Sequence, residues 1–343
     1  MKNRMPANEQ GYVLLQVMFV FAILMVIVAQ VQYQQRIQVE RTRHVLFLSQ
    51  AQAYAESAEA IAEVGLSLDA QSSSTDHLYE LWNTTEAVFP LDEGGLVAVE
   101  INDLQGRFNL NWLSMDSEYR SGALQAFDKL LLLIGADESI AQELYQWFDA
   151  DTGADYFYAD EQPSYAPSYT AMADVTELLL LKSVDQEQFD LLSPWVSALP
   201  ADSALNINTA PSEVIQTIAG YIGQDIAAKA VTDRGEEGFD AVTDFLNQDV
   251  FKENEQSGIY LSELSVTSDW FELYTEITLG EDTLSQRSVI HRDADGGLTV
   301  TLRDRSATEA NQLPGDPVKA AASAANPGNN NDATSSDDPA GEF

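Results

Sequence analysis

Residues 12–35, YVLLQVMFVFAILMVIVAQVQYQQ, are 24 uncharged residues in succession, placed directly after Gly11 and running on into a charged helical pattern. At about 1.5 Å per residue the run is roughly 36 Å long as a helix, enough to cross a hydrocarbon core of about 30 Å with some tilt. A membrane-spanning N-terminal helix is therefore expected, and the rest of the chain must fold beyond one end of it. The leader, MKNRMPANEQG, is short and polar with Lys2 and Arg4, and no A-x-A exit follows the apolar stretch as in a secretory signal peptide. Lys2 and Arg4 precede the helix and Arg36, Arg41 and Arg43 follow it, so flanking charge alone does not set its orientation.

The remainder of the chain is acidic. Five basic and two acidic residues give positions 1–43 a net charge of +3, which leaves −41 for the rest of a chain whose total is −38. Such a surface repels nucleic-acid phosphate and anionic lipid, and favours cations and basic partner faces. The absence of cysteine rules out disulfides and thiolate chemistry and leaves the redox compartment open. About 300 residues beyond the anchor suffice for one large core or two smaller ones.

Helical spacing continues past the anchor through Val45, Leu48, Ala51, Ala55, Ala58, Ile61 and Ala62, so one long helix is expected to leave the membrane and pack its far half on a domain. A polar turn at 71–76, QSSSTD, ends it. Leu96 to Ile101 reads as a strand and Asp103 to Arg107 as a tight turn. Strands return at 264–280, 284–293 and 297–304 as an antiparallel meander. Between them the spacing is helical: Glu118 to Ile134, Glu138 to Phe148, Asp174 to Lys182, Gln186 to Val196, Pro211 to Ile218, Asp225 to Thr232 and Ala241 to Leu246. The fold class expected is α+β, with a large all-α domain, residues 106–261, inserted between the first strand and the later ones of a small domain formed by 36–105 and 262–305. Residues 306–343, rich in Pro, Gly, Asn, Ser and Asp, read as a disordered tail.

A polar leader ending in Gly and joined to an apolar helix resembles the type IV prepilin signal, with residues 1–11 as the leader, 12–35 as the transmembrane helix, and processing between Gly11 and Tyr12. A plain uncleaved anchor is the alternative. Four inner motifs extend the likeness: DLQGRFNLNWL at 103–113, WFDAD at 147–151, LPADSALNINTAPSEVI at 199–215, and the GF…VTDFL run at 238–246. Together, from Gly11 to about Arg305, they resemble the K subunit of the type II secretion system, the general secretion pathway protein K family of minor pseudopilins. The resemblance implies a pilin-like helix and sheet carrying the inserted helical domain. It also implies a methylated Tyr12 after processing, a single-pass bacterial inner-membrane location with the C-terminal domain in the periplasm, and no enzymatic activity. It further implies a place at the pseudopilus tip with the I and J subunits, contact with the inner-membrane assembly platform and with secreted cargo, and support for export of folded proteins across the outer membrane. Most pilins carry a glutamate five residues after cleavage, whereas this chain has Gln16. A subunit with no neighbour above it has no amino terminus to pair with that carboxylate, so the missing charge fits the tip. A tolerated polar residue in a membrane helix is the other reading.

Asp149, Asp151, Asp155 and Asp160 occupy positions 1, 3, 7 and 12 of an EF-hand-like count after a helix, and such clustered oxygen donors suit calcium. Gly153 stands at position 5, Ala154 at 6 where an EF-hand needs Gly, and Asp at 12 in place of Glu, so a true EF-hand is not expected. The family resemblance nevertheless implies calcium in the helical domain, and the alternative is a solvated acidic loop. Residues 205–246, with Gly220 and Gly223 around a turn, also resemble a DNA-binding helix-hairpin-helix. They offer only Lys229 and Arg234 against seven acids, so a packing unit without phosphate is favoured over a membrane-anchored DNA-uptake protein. His44, His77 and His291 stand beside no nucleophile motif, and no GxGxxG, P-loop or HExxH occurs. Trp82, Trp112, Trp147, Trp195 and Trp270 lie in apolar patterns and read as core.

Overall fold

The computed structural model describes residues 7–84, 87–92, 94–114, 120–248, 250–251, 259–261, 263–307 and 309–325. A single helix, α1 (Ala7–Ser72), runs through Gly11 and Tyr12 and on past the apolar run. Straight-chain and alanine-rich sequence without proline keeps it continuous. From Tyr12 to Val31 its large apolar side chains are exposed all round, so this half presents a surface suited to lipid. The far half lies on a sheet through Phe47, Ala51, Ala55, Ala58, Ala62 and Leu66, all buried. Four of those six are alanines, which let the helix axis approach the sheet closely. Val45, Leu48 and Ile61, expected on the inward face, are instead 64%, 40% and 57% exposed. They fall off the alanine stripe.

The sheet has five antiparallel strands in the order β1 (Ala87–Pro90), β2 (Leu96–Asp103), β7 (Trp270–Leu279), β8 (Asp282–Arg292) and β9 (Leu298–Asp304). Between β2 and β7 the chain makes two short parallel pairings, β3 (Phe108–Asn109) with β4 (Val196–Ser197) and β5 (Leu205–Asn206) with β6 (Leu264–Ser265). The described helices are α2 (Leu81–Thr84), α3 (Arg120–Ile134), α4 (Ser139–Trp147), α5 (Asp155–Tyr158), α6 (Gln186–Leu192), α7 (Ser212–Thr217), α8 (Gln224–Arg234), α9 (Val242–Leu246) and α10 (Pro317–Ala325). Although distant in sequence, β2 and β7 pair continuously from Leu96 opposite Thr278 to Asp103 opposite Phe271. Everything between them leaves and returns at one end of neighbouring strands, an α+β fold with the sheet split around a helical insert. A large apolar cluster drawn from Phe108 to Leu261 is the insert's own core, centred on residues such as Phe108, Phe127, Trp147 and Phe245.

Several elements differ from the sequence reading. The stretch 264–280 is two strands, because the Ser265 hydroxyl accepts from the Thr267 N–H and turns the chain before Trp270. Residues 174–182 form only a 3-10 helix, Val175–Leu180, started by an Asp174–Glu177 capping box. The helix at 186 stops at Leu192, since Pro194 cannot donate and the chain tightens into a 3-10 turn. Trp195 and Trp270 are half-buried rather than core. The tail reading from residue 306 also needs correction, because residues 309–325 dock on the fold. Leu313, Asp316 and Lys319 are buried, and the Lys319 ammonium donates to the carbonyl of Ile101 at 2.7 Å and pairs with Glu100 at 3.0 Å. Leu313 and a set of polar contacts hold this segment, which is why its composition hides it. Residues 326–343 lie outside the described part.

Candidate functional site

The motifs singled out in the sequence meet where the insert joins the sheet. After β2 the turn at Leu104–Arg107 brings Gln105 against β5: the Asn206 N–H donates to the Gln105 carbonyl at 2.9 Å, and Gln105 Nε2 donates to the Ala204 carbonyl at 2.8 Å. Asn206 Nδ2 donates to the Ser268 hydroxyl at 2.8 Å and to the Asp76 carbonyl at 3.1 Å. The Thr209 hydroxyl donates to Asp103 Oδ2, whose other oxygen accepts from the Gln105 N–H at 2.8 Å. Burial pushes the Asp103 carboxyl up to about 6, against the hydrogen bonds from Thr209 and Gln105. Only glycine fits at 106, where a Cβ would lie 2.6 Å from Thr209 Oγ1.

The asparagines of the same motifs tie loops together inside the insert. Asn109 Oδ1 accepts from the Leu199 N–H at 3.0 Å. Asn111 exchanges two hydrogen bonds with the backbone of Met172, and Asn208 does the same with Phe239. A buried amide that satisfies a backbone donor and acceptor at once acts as a short piece of strand. From the sheet side, one bridge fastens the insert and another fastens α1. Arg287 of β8 pairs with Asp174 of the insert and with Glu272 of β7 at 3.4 Å. Glu59 of α1 accepts from Arg303 Nη2 at 2.7 Å, the Ser288 hydroxyl at 2.7 Å and Gln286 Nε2 at 2.9 Å. Sequence reasoning missed Glu59, yet a signal was present: it falls four residues after Ala55, on the buried stripe.

The acidic loop is less assembled. Asp149 caps the Ala150–Thr152 turn and pairs with Arg120 at 3.2 Å. Asp155 opens α5 and accepts from the Tyr169 hydroxyl at 2.6 Å, while Asp151 and Asp160 are exposed. Among the described residues, these four do not form a group of three converging acids. The donors are of the right kind for calcium, but as arranged they form no six- to eight-oxygen cage.

The hairpin formed by α7 and α8 has no free cation for a phosphate. Arg234 is buried and donates to the carbonyls of Ile207 and Ala210, and Lys229 pairs with Asp233. The turn's carbonyls at Gln216, Ala219 and Ile222 are all taken by the Lys129 ammonium, at 2.7, 3.0 and 2.7 Å.

Two models of type II secretion system protein K match the chain, at residues 106–201 and 205–267. The chain is 33% identical over 319 residues to type II secretion system protein K of Pseudomonas aeruginosa, covering 88% of this chain and 94% of that protein. It is 29% identical over 322 residues to the protein of the same description from Aeromonas hydrophila, covering 86% and 97%. Its fold is similar to a chain in the crystal structure of the GspK–GspI–GspJ complex from the enterotoxigenic Escherichia coli type 2 secretion system, with a TM-score of 0.65, 26% identity, and coverage of 77% of this chain and 98% of that one. With similarity sustained over nearly the full length of such relatives, and with an exposed apolar helix, a split sheet and a helical insert in that order, the chain belongs to the type II secretion system protein K family.

Proposed function

We propose that the protein is a minor pseudopilin that completes the tip of a periplasmic pseudopilus with the I and J subunits and supports export of folded proteins. Family membership makes it a structural secretion component rather than an enzyme. The observation that carries the reading is α1, whose first half is apolar and exposed while its second half is bound to a sheet. That helix fits an anchor held in the inner membrane before assembly and packed among neighbouring helices after it. The relative solved in complex with I and J subunits supports the same partners here. Gln16 and the bulk of the insert support a terminal position, since the insert would obstruct stacking of a further copy. This reading places the folded part in the periplasm.

The first test is the N-terminal sequence and mass of the membrane-extracted protein after co-expression with its prepilin peptidase. A start at methylated Tyr12 is the expected result, whereas an intact Met1 would remove the prepilin reading. Co-purification with the I and J subunits is expected as well, and immunogold label along the whole filament would overturn the tip position.

Calcium binding by the 149–160 loop belongs to the proposal and rests on its donor chemistry. It requires Asp151, Asp155 and Asp160 to converge, with Tyr169 released from Asp155. Calorimetric titration of the full chain is expected to show calcium uptake that D151N/D155N/D160N reduces. Equal uptake by both proteins would remove the loop from consideration.

A further inference from the structure

At the foot of α1, away from the 149–160 loop, Asp69, Asp76 and Glu80 each offer a carboxylate oxygen within 4.8 Å of the others. The surrounding protein satisfies only part of this group. Asp76 Oδ2 accepts from the Ser268 N–H at 2.8 Å and pairs with Arg292 at 2.5 Å. Glu80 Oε2 accepts from the His77 N–H at 3.1 Å and from the Trp82 indole at 2.8 Å. Of the other four oxygens, Asp69 Oδ2 and Glu80 Oε1 are buried without a hydrogen-bond partner. Glu80 is only 8% exposed, so bulk solvent reaches it little.

His77 does not neutralise the group. Its Nδ1 accepts from the Tyr79 N–H, and its Nε2 stands 3.7 Å from Glu80 Oε1, beyond hydrogen-bonding reach. Among the described residues, three carboxyl groups share the single guanidinium of Arg292. Buried carboxylates crowded in this way are costly unless something positive, a proton or a cation, joins them.

We propose that Asp69, Asp76 and Glu80 form a divalent-cation site selective for calcium, built into the turn between α1 and α2. All three donors are hard oxygens, which disfavours soft transition metals. Oxygens spaced up to 4.8 Å apart suit an ion about 2.3–2.6 Å from each, and are loose for magnesium at about 2.0–2.1 Å. Bound there, the ion satisfies the two orphaned oxygens and clamps the end of α1 to the α2 turn. Through Asp76, Ser268 and Asn206 that clamp reaches the junction of insert and sheet. The inference is independent of the pseudopilus reading.

Terbium luminescence tests it directly, because the Trp82 indole is hydrogen-bonded to Glu80 and would transfer energy to an ion held by that carboxylate. The full chain is used in detergent micelles, in a D151N/D155N/D160N background so that the loop near Trp147 contributes nothing. Expected are one sensitised terbium ion per chain, its displacement by calcium, and a calcium-dependent rise in melting temperature. In E80Q and D69N, calcium affinity is expected to fall about tenfold or more. The same variants are expected to melt higher than the parent in EGTA, because one of the repelling charges is gone. Retained terbium emission and calcium response in both variants would overturn the site, as would zero ions per chain in the parent protein, which decides the matter even where a variant fails to fold. A parent chain indifferent to calcium whose melting temperature falls as pH rises through neutrality would show a shared proton in place of a metal, and would equally overturn it.

Discussion

Glu59 is one of the few acids in this acid-rich chain that works from inside. Burial alone would raise its pKa, but the hydrogen bonds and charge of Arg303, with Ser288 and Gln286, outweigh it and hold the carboxyl below its ordinary value. E59A is expected to cost about 2–4 kcal/mol in denaturant unfolding, since it strips the acceptor from three donors. R303A should cost a similar amount at neutral pH and progressively less as pH falls through the carboxylate range. A group with a depressed folded pKa contributes stability above its unfolded pKa and loses it on protonation. Asp103 has the opposite sign. Its carboxyl, pushed up to about 6 from an ordinary 3.8, keeps a proton in the folded state that the unfolded chain has already released between about pH 4 and 6. Stability from this residue is therefore lost as pH rises through that window, by about 3 kcal/mol in total. D103N is expected to remove that part of the slope in melting curves taken across the window. The sequence offers a hint of the first role, the place of Glu59 on the alanine stripe, and none of the second. The motif DLQGRFNLNWL marked Asp103 as notable, but only the approach of Thr209, far along the chain, makes it a buried hydrogen-bonded acid.

At the scale of elements, legibility followed periodicity. The long helix, the strand at 96 and the helices at 120 and 224 carry sustained patterns, and the structure places them within a few residues of the expected limits. Elements held by polar contacts left no such pattern. The edge strand β1 is four residues with three exposed, and α10 is secured at its start by Lys319 and Asp316. The Lys319 ammonium is buried between Glu100, the Ile101 carbonyl and Asn102, and Asp316 accepts from Asn83 Nδ2 at 2.7 Å while capping its own helix. K319M keeps the stem but removes the charge, and is expected to cost about 2–4 kcal/mol because Glu100 and Asn102 lose their partner. Truncation after Arg305 should destabilise at least as much and speed amide exchange along Leu96–Asp103. Unchanged melting and exchange after truncation would mean that the segment does not dock in solution. The acidic loop was legible as clustered carboxylates, and the contacts by which Arg120 and Tyr169 claim two of the four left no trace in the sequence.

The whole molecule is a long N-terminal helix, a small sheet and a large insert, which the chain joins to the sheet at two neighbouring strands and Arg287 ties to it again through Asp174. The chain leaves the sheet at Asp103 and re-enters at Trp270, and these strand ends lie side by side. On the far side, β7 is paired with β8 along its whole length, from Trp270 opposite His291 to Leu279 opposite Asp282. A pull on the insert directed along the strands therefore loads β2 and β7 together, and their ladders against β1 and β8 must slide as a block rather than open one bond at a time. Since the chain has no cysteine, one can be placed in the insert and another near Gln35 to attach handles for single-molecule stretching. The insert is expected to unravel at lower force than the sheet. Rupture of the sheet first would contradict this account of the attachment. In mechanical terms the two neighbouring strands form a tenon set into the sheet: thrust or drag on the helical head reaches the N-terminal helix as shear across many hydrogen bonds at once, the loading direction in which a small sheet is hardest to break.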